Sequence, residues 1–221
     1  MMKSNYLTFD CYGTLINTDP VYQWIENLAL AAGVDPQAVR NAYASYEDDP
    51  VSVHPYLDFA DLVRENLKHL DGMFDQEHFF ESHYVEGLQI QRHLLPYPDV
   101  VSTLQDWHDQ GYQLIIMSNS SWDIMSANLA ALKIPFDAVI TAEDVQAYKP
   151  DLKFFKAVQN QFAFTPANHW HVARGYDSDV VPAEQMGWPM LWINRGQAKP
   201  SRTEQPTHTV ADLAAAKAWI G

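Results

Sequence analysis

From Pro96 onward, short apolar runs alternate with segments of helical period, and that alternation restricts what this chain can build. Helical patterns over residues 100–110, 122–132, 152–162 and 180–186 are separated by strand patterns over 113–117, 138–140, 170–172 and 190–193. Residues 207–210 and 211–219 add one more short strand and helix. The expected fold is α/β, a doubly wound parallel sheet. A first strand, Tyr6-Leu7-Thr8-Phe9, stands apart from this series. Between it and Pro96 the patterns are helical: Pro20 to Gly33, a second helix from Asp35-Pro36, then residues 57–70 and 76–86, with a loop at Asp48-Asp49-Pro50. Residues 17–97 therefore read as a helical cap inserted after the first strand, and residues 1–16 with 98–221 as the α/β core.

That first strand runs directly into Asp10 and a glycine turn, Cys11-Tyr12-Gly13-Thr14-Leu15. In an open parallel sheet the carboxyl ends of the strands line the ligand crevice, so Asp10 is displayed there as a candidate nucleophile, with Thr14 returning toward it. Other strand ends converge on the same edge. The run Leu114 to Met117 ends in Ser118-Asn119, a hydroxyl and an amide suited to a carboxylate or an oxyanion, while Ser120 and Ser121 read as caps of the next helix. Lys149 precedes Pro150-Asp151 at the start of a helix, and Trp170-His171-Val172-Ala173 leads into the charged turn from Arg174 to Asp179.

Composition narrows the partners. With 14 Lys and Arg against 28 Asp and Glu, the net charge of −14 repels nucleic acid and anionic membrane surfaces. An anionic small substrate then needs a local cationic pocket. The single cysteine, Cys11, excludes an internal disulfide and reads as a small side chain turned to the far face of its strand. No apolar run approaches the roughly 20 residues of a membrane span, and the N-terminus has no signal-peptide core, so a cytoplasmic protein is expected. His169 and His171 lie two apart on a strand with no third ligand in view.

Asp10-x-x-Gly13-Thr14, Ser118-Asn119, Lys149-Pro150 and the acidic turn at Asp179, taken in order, resemble the four-motif signature of the haloacid dehalogenase superfamily. Tyr12-Gly13-Thr14, Ala147-Tyr148-Lys149-Pro150-Asp151 and Trp192-Ile193-Asn194-Arg195 are similar to its type II 2-haloacid dehalogenase branch. The resemblance implies hydrolysis through a covalent ester on Asp10, without a cofactor. Lys149 keeps Asp10 ionised, Asp179 positions Lys149 or the hydrolytic water, and Thr14, Tyr12, Ser118 and Asn119 bind or orient the substrate. Halide needs no proton to leave, whereas a phosphate ester does. Tyr12 stands where phosphatases of the superfamily carry a second aspartate, and Ala173-Arg174 where their Gly-Asp is expected.

Alternatives stay open. Arg40 on the second cap helix and Arg174 compete as the cation that receives the anion. A magnesium-dependent phosphatase, with Mg²⁺ on Asp10 and Asp179, and a non-catalytic ligand-binding protein are the other readings. Trp24, Tyr43, Tyr46 and Phe59 are candidates for the inner face of the cap, although packing in the cap's own core is the commoner fate of such aromatics. Apolar cap helices offer a surface for a homodimer, which no residue in the sequence decides.

Overall fold

The structure, a computed structural model, describes residues 5–48, 56–162 and 164–220. The loop expected around Asp49 and Pro50 and the residues before Asn5 lie outside that range. In chain order, β1 (Tyr6–Phe9) is followed by α1 (Asp19–Ala32), α2 (Pro36–Asp48), α3 (Phe59–Met73), α4 (Phe79–Ser82) and α5 (Tyr84–Arg92). Next come α6 (Val100–Asp109), β2 (Gln113–Ser118), α7 (Trp122–Leu132), β3 (Ala138–Thr141), α8 (Ala142–Val145), α9 (Leu152–Phe162) and β4 (His169–Ala173). A π-helical turn (Tyr176–Val180) leads into α10 (Val181–Gln185), and β5 (Met190–Ile193), β6 (His208–Val210) and α11 (Leu213–Ala216) complete the chain.

All strand pairs are parallel, in the order β3-β2-β1-β4-β5-β6. Strand alternation sends side chains to two separate cores. Leu7, Phe9, Leu114, Ile116, Val172, Leu191 and Ile193 pack on one face, where Leu104 and Trp107 of α6, Ile124 of α7 and Leu213 of α11 meet them. Ile115, Met117, Ala173, Met190 and Trp192 pack on the other, against Phe154, Phe155 and Val158 of α9 and Ala183 of α10. Each fully buried Leu, Ile, Val, Met or Phe among them contributes about 1.5–3 kcal/mol. The sheet is therefore doubly wound, and its direction reverses at β1, which has β2 on one side and β4 on the other. Crevices form at such switch points, which places Asp10 and Arg174 on adjoining strand ends.

Two expected elements differ. The single helix expected over residues 76–86 is instead α4 and α5. The buried carboxylate of Asp71 on α3 accepts the backbone N–H groups of Phe80 (2.8 Å) and Glu81 (3.0 Å), which anchors the first turn of α4, and His83 ends it. The helix expected over residues 211–219 is the one-turn α11, with Asp212 accepting from the Ala215 N–H at 2.8 Å.

Candidate active site

The turn after β1 is built around Gly13. Its φ of +81° is left-handed, and a Cβ there would lie 2.9 Å from Cδ of Arg174, so both the backbone and the neighbouring side chain require glycine. Cys11 O accepts the N–H groups of Leu15 (2.8 Å) and Ile16 (2.9 Å), which folds Thr14 back over the strand end. Thr14 Oγ1 donates to Asp10 Oδ2 at 2.6 Å and accepts from the Arg174 N–H at 2.7 Å. Arg195 braces the same turn from just past β5, donating to Thr14 O at 3.1 Å and to both oxygens of Asp99 at 3.0 Å, over the ring of Tyr97.

Lys149 reaches this carboxylate from the loop before α9. Asn119, just past β2, grips the lysine backbone: its Nδ2 donates to Lys149 O at 2.9 Å and its Oδ1 accepts from Lys149 N at 2.7 Å. Nζ then donates to Asp10 Oδ1 at 2.9 Å and to Asp179 Oδ1 at 2.7 Å. Burial would push the ammonium pKa down; the two carboxylates outweigh that and hold it above its ordinary value. Burial would likewise raise the Asp179 carboxyl, but Lys149 and His171 bring it down to about 2.

Asp179 is fixed from behind. Its Oδ2 accepts from Ser178 Oγ at 2.7 Å, and its Oδ1 lies 3.0 Å from His171 Nε2. Gly175 permits this approach, because a Cβ there would sit 2.4 Å from Asp179 Oδ2. His171 Nδ1 is 2.8 Å from Thr8 Oγ1, which is 2.7 Å from His169 Nε2. Burial, with a smaller effect of His171, pushes the His169 pKa down to about 2, so this imidazole is neutral. One proton arrangement leaves no N–H unpaired in the chain. His169 Nε2–H donates to Thr8, Thr8 donates to His171 Nδ1, and His171 Nε2–H donates to Asp179. Only the bare Nδ1 of His169 then lacks a partner. None of Thr8, His169 and His171 was recognised in the sequence as part of the site. The available signal was two histidines on one face of β4 beside a threonine in register with His171.

These groups open onto a pocket of about 180 Å³ between the sheet edge and the helices of residues 17–97. Asp10, Tyr12, Asn119, Lys149 and Arg174 line it, and among the described residues the Arg174 side chain has no ion-pair partner. Tyr12 Oη accepts from Asn128 Nδ2 at 2.9 Å. Several expectations need correction. Arg40 does not line the pocket: it pairs with Glu26 at 2.9 Å and lies over the Tyr22 ring. Ser118 is wholly buried, off the pocket wall, and its Oγ has no partner among the described residues. Asn119 lines the pocket, but its carboxamide is committed to the Lys149 backbone. Of the four cap aromatics, only Phe59 reaches the wall; Trp24 and Tyr43 are buried in the core and the Tyr46 ring packs tilted against His69.

The donor set does not suit Mg²⁺. A cation bridging Asp10 and Asp179 would have to take the place of the Lys149 ammonium, and Arg174 adds positive charge to the same pocket. Among the described residues, no cluster of three or more His, Cys, Asp and Glu side chains is arranged to hold a metal ion. Cys11 is buried, and burial raises its thiol well above the usual range, which suits a packing role.

An aspartate at the switch point of a doubly wound sheet, tied to a lysine and covered by helices, defines an α/β enzyme that works from its strand ends. Residues 5–187 match the model of haloacid dehalogenase-like hydrolases, and the chain belongs to that family of hydrolases. It is similar to an (S)-2-haloacid dehalogenase of Pseudomonas putida, 27% identical over 222 residues that cover 97% of this chain and 95% of the relative. A solved dehalogenase with an intermediate complex superposes with a TM-score of 0.82 at 23% identity, over 98% of this chain and 96% of the other. The L-2-haloacid dehalogenase of Xanthobacter autotrophicus with chloropropionic acid covalently bound gives a TM-score of 0.77 at 21% identity, over 99% and 98%.

Proposed function

We propose that this hydrolase cleaves the carbon–halogen bond of a 2-halo carboxylic acid through an ester on Asp10, without a metal ion. The observation that carries the reading is the Asp10 carboxylate on the pocket wall with a lysine ammonium filling the gap to Asp179. Asp10 attacks the 2-carbon, a C–O bond forms, and the halide departs with the electron pair of the broken bond. Water then adds to the carboxyl carbon of Asp10. The 2-hydroxy acid leaves, the carboxylate is restored, and one proton is released to solvent. Thr14 and Lys149 hold the two Asp10 oxygens in place for the attack. Arg174, on the wall and without a counter-ion among the described residues, receives the substrate carboxylate; Arg40 is already paired. Residues 17–97 act as a cap over a core of residues 1–16 and 98–221, since Tyr22, Phe59 and Leu62 close the pocket from above the sheet edge. The single buried cysteine suits a reducing cytoplasmic setting. Likeness to named 2-haloacid dehalogenases over nearly the whole chain supports the substrate class.

The test is halide release from 2-chloropropionate. The expected result is turnover that EDTA leaves unchanged and Asp10→Asn abolishes, with the ester detected on Asp10 by intact mass. Equal halide release from Asp10→Asn would overturn the reading. So would an enzyme inert toward 2-halo acids that hydrolyses p-nitrophenyl phosphate only with Mg²⁺.

A further inference from the structure

Glu47 of α2, Asn66 of α3 and Gln91 of α5 also line the pocket that holds Asp10, Lys149 and Arg174. Asn66 and Gln91 are 1% and 6% exposed, and each keeps one amide atom without a partner among the described residues: Oδ1 of Asn66, an acceptor, and Nε2 of Gln91, a donor. Asn66 Nδ2 donates to Tyr43 O at 3.0 Å, which anchors that side chain, and the backbone carbonyl of Gln91 accepts from Asn128 Nδ2 at 2.8 Å, which ties the last turn of α5 to α7. Buried amide groups are normally paired, and leaving them unpaired is costly. Leu62, Val63 and Leu94 show that apolar residues occupy the same wall. A site for a purely alkyl tail would gain nothing from two buried amides and a carboxylate among them.

We propose that Asn66 and Gln91 form a subsite for a polar tail, so that the acid bound at Arg174 carries a neutral group that both donates and accepts hydrogen bonds, such as a carboxamide. Asn66 Oδ1 accepts from that group and Gln91 Nε2 donates to it, while Glu47 disfavours a second carboxylate. A site built to hydrogen-bond its ligand rejects the analogue that lacks the group, because its own polar atoms are then left unpaired. The inference rests on the reading that the Arg174 end of the pocket takes the carboxylate, and it extends that reading to the length and polarity of the substrate.

Calorimetric titration of the full chain with halogen-free acids tests it independently of the chemistry. The probes are 4-carbamoylbutanoate, hexanoate, which replaces the carboxamide by alkyl of similar reach, and glutarate. The expected order is 4-carbamoylbutanoate tighter than hexanoate by at least tenfold, with glutarate weaker than the carbamoyl acid. Asn66→Leu and Gln91→Met should each bring the carbamoyl-to-hexanoate ratio toward one without weakening hexanoate. Should either variant fail to fold, the wild-type ratio decides alone. Hexanoate binding as tightly as the carbamoyl acid, or no binding of any probe, overturns the subsite. Halide release from 2-chloropropionate with no carbamoyl preference leaves dehalogenation standing and removes the subsite; the preference without halide release does the reverse.

Discussion

Lys149 carries the heaviest electrostatic duty of any side chain here, 1% exposed between two carboxylates that would otherwise face each other. Lys149→Met removes the cation and leaves both acids buried. Halide release should fall by at least a hundredfold, and urea titration should show a loss of about 3–5 kcal/mol, the usual result of breaking a buried ion pair. Lys149→Arg should not restore activity, because a planar fork does not fit the space of a compact ammonium. Wild-type halide release from Lys149→Met would remove the ammonium from the reaction. Asp10, Thr14, Lys149 and Asp179 were legible in the sequence because each follows or faces a strand end, and strand ends are readable from apolar runs. What each side chain touches was not legible. Arg40 looked free until the fold put Glu26 of the neighbouring helix beside it, and Asn119 looked like a ligand donor until its amide closed on the Lys149 backbone.

Helix α5 passes α1 so closely that Gly87 has no room for a side chain: an added Cβ would lie 2.6 Å from Cη2 of Trp24, whose ring is buried. Gly87→Ala should therefore destabilise by about 1–3 kcal/mol through overpacking, although alanine is the better helix former. Urea denaturation reads the loss, and the double variant Gly87→Ala with Trp24→Phe should recover part of it. A gain in stability for Gly87→Ala would mean that the two helices stand further apart. At this scale the strands were readable as short apolar runs buried on both faces, and helices α1, α6 and α9 because the apolar side of each faces one core. The separate turn of α4 was not, because its start is fixed by a carboxylate on α3, Asp71, that accepts backbone N–H groups nine and ten residues later. The shortness of α11 escaped for the same reason: periodicity reports which face is apolar, not where a cap ends the helix.

Across the molecule, the excess of acidic residues and the buried imidazole of His169 act on stability in different pH windows. The Asp179 carboxyl, held at about 2, contributes stability that is present above its ordinary pKa near 3.8 and is lost as pH falls from there through 2. His169 acts earlier. It is stacked 3.8 Å from Phe164, edge-on to Trp188, and hydrogen-bonded to Thr8, in a site that admits only the neutral ring. An unfolded chain protonates this histidine near 6.5, whereas the folded chain does so only at about 2. The unfolded state therefore binds more protons throughout the interval between, and stability declines as pH drops below 6.5. Its slope there approaches 1.4 kcal/mol per pH unit from this one group, or about 2–3 kcal/mol between pH 6.5 and 4.5. His169→Gln keeps a donor for Thr8 and removes the titration. Urea denaturation of both proteins at matched ionic strength should give a wild-type loss over that interval that exceeds the variant's by about this amount. The general charge effect, set by a net −14 that shrinks toward the isoelectric point near 4.8, is common to both and cancels in the difference. Parallel pH profiles would mean that the folded protein accommodates a protonated His169, with the second proton on Nδ1 and the Nε2–H bond to Thr8 unchanged.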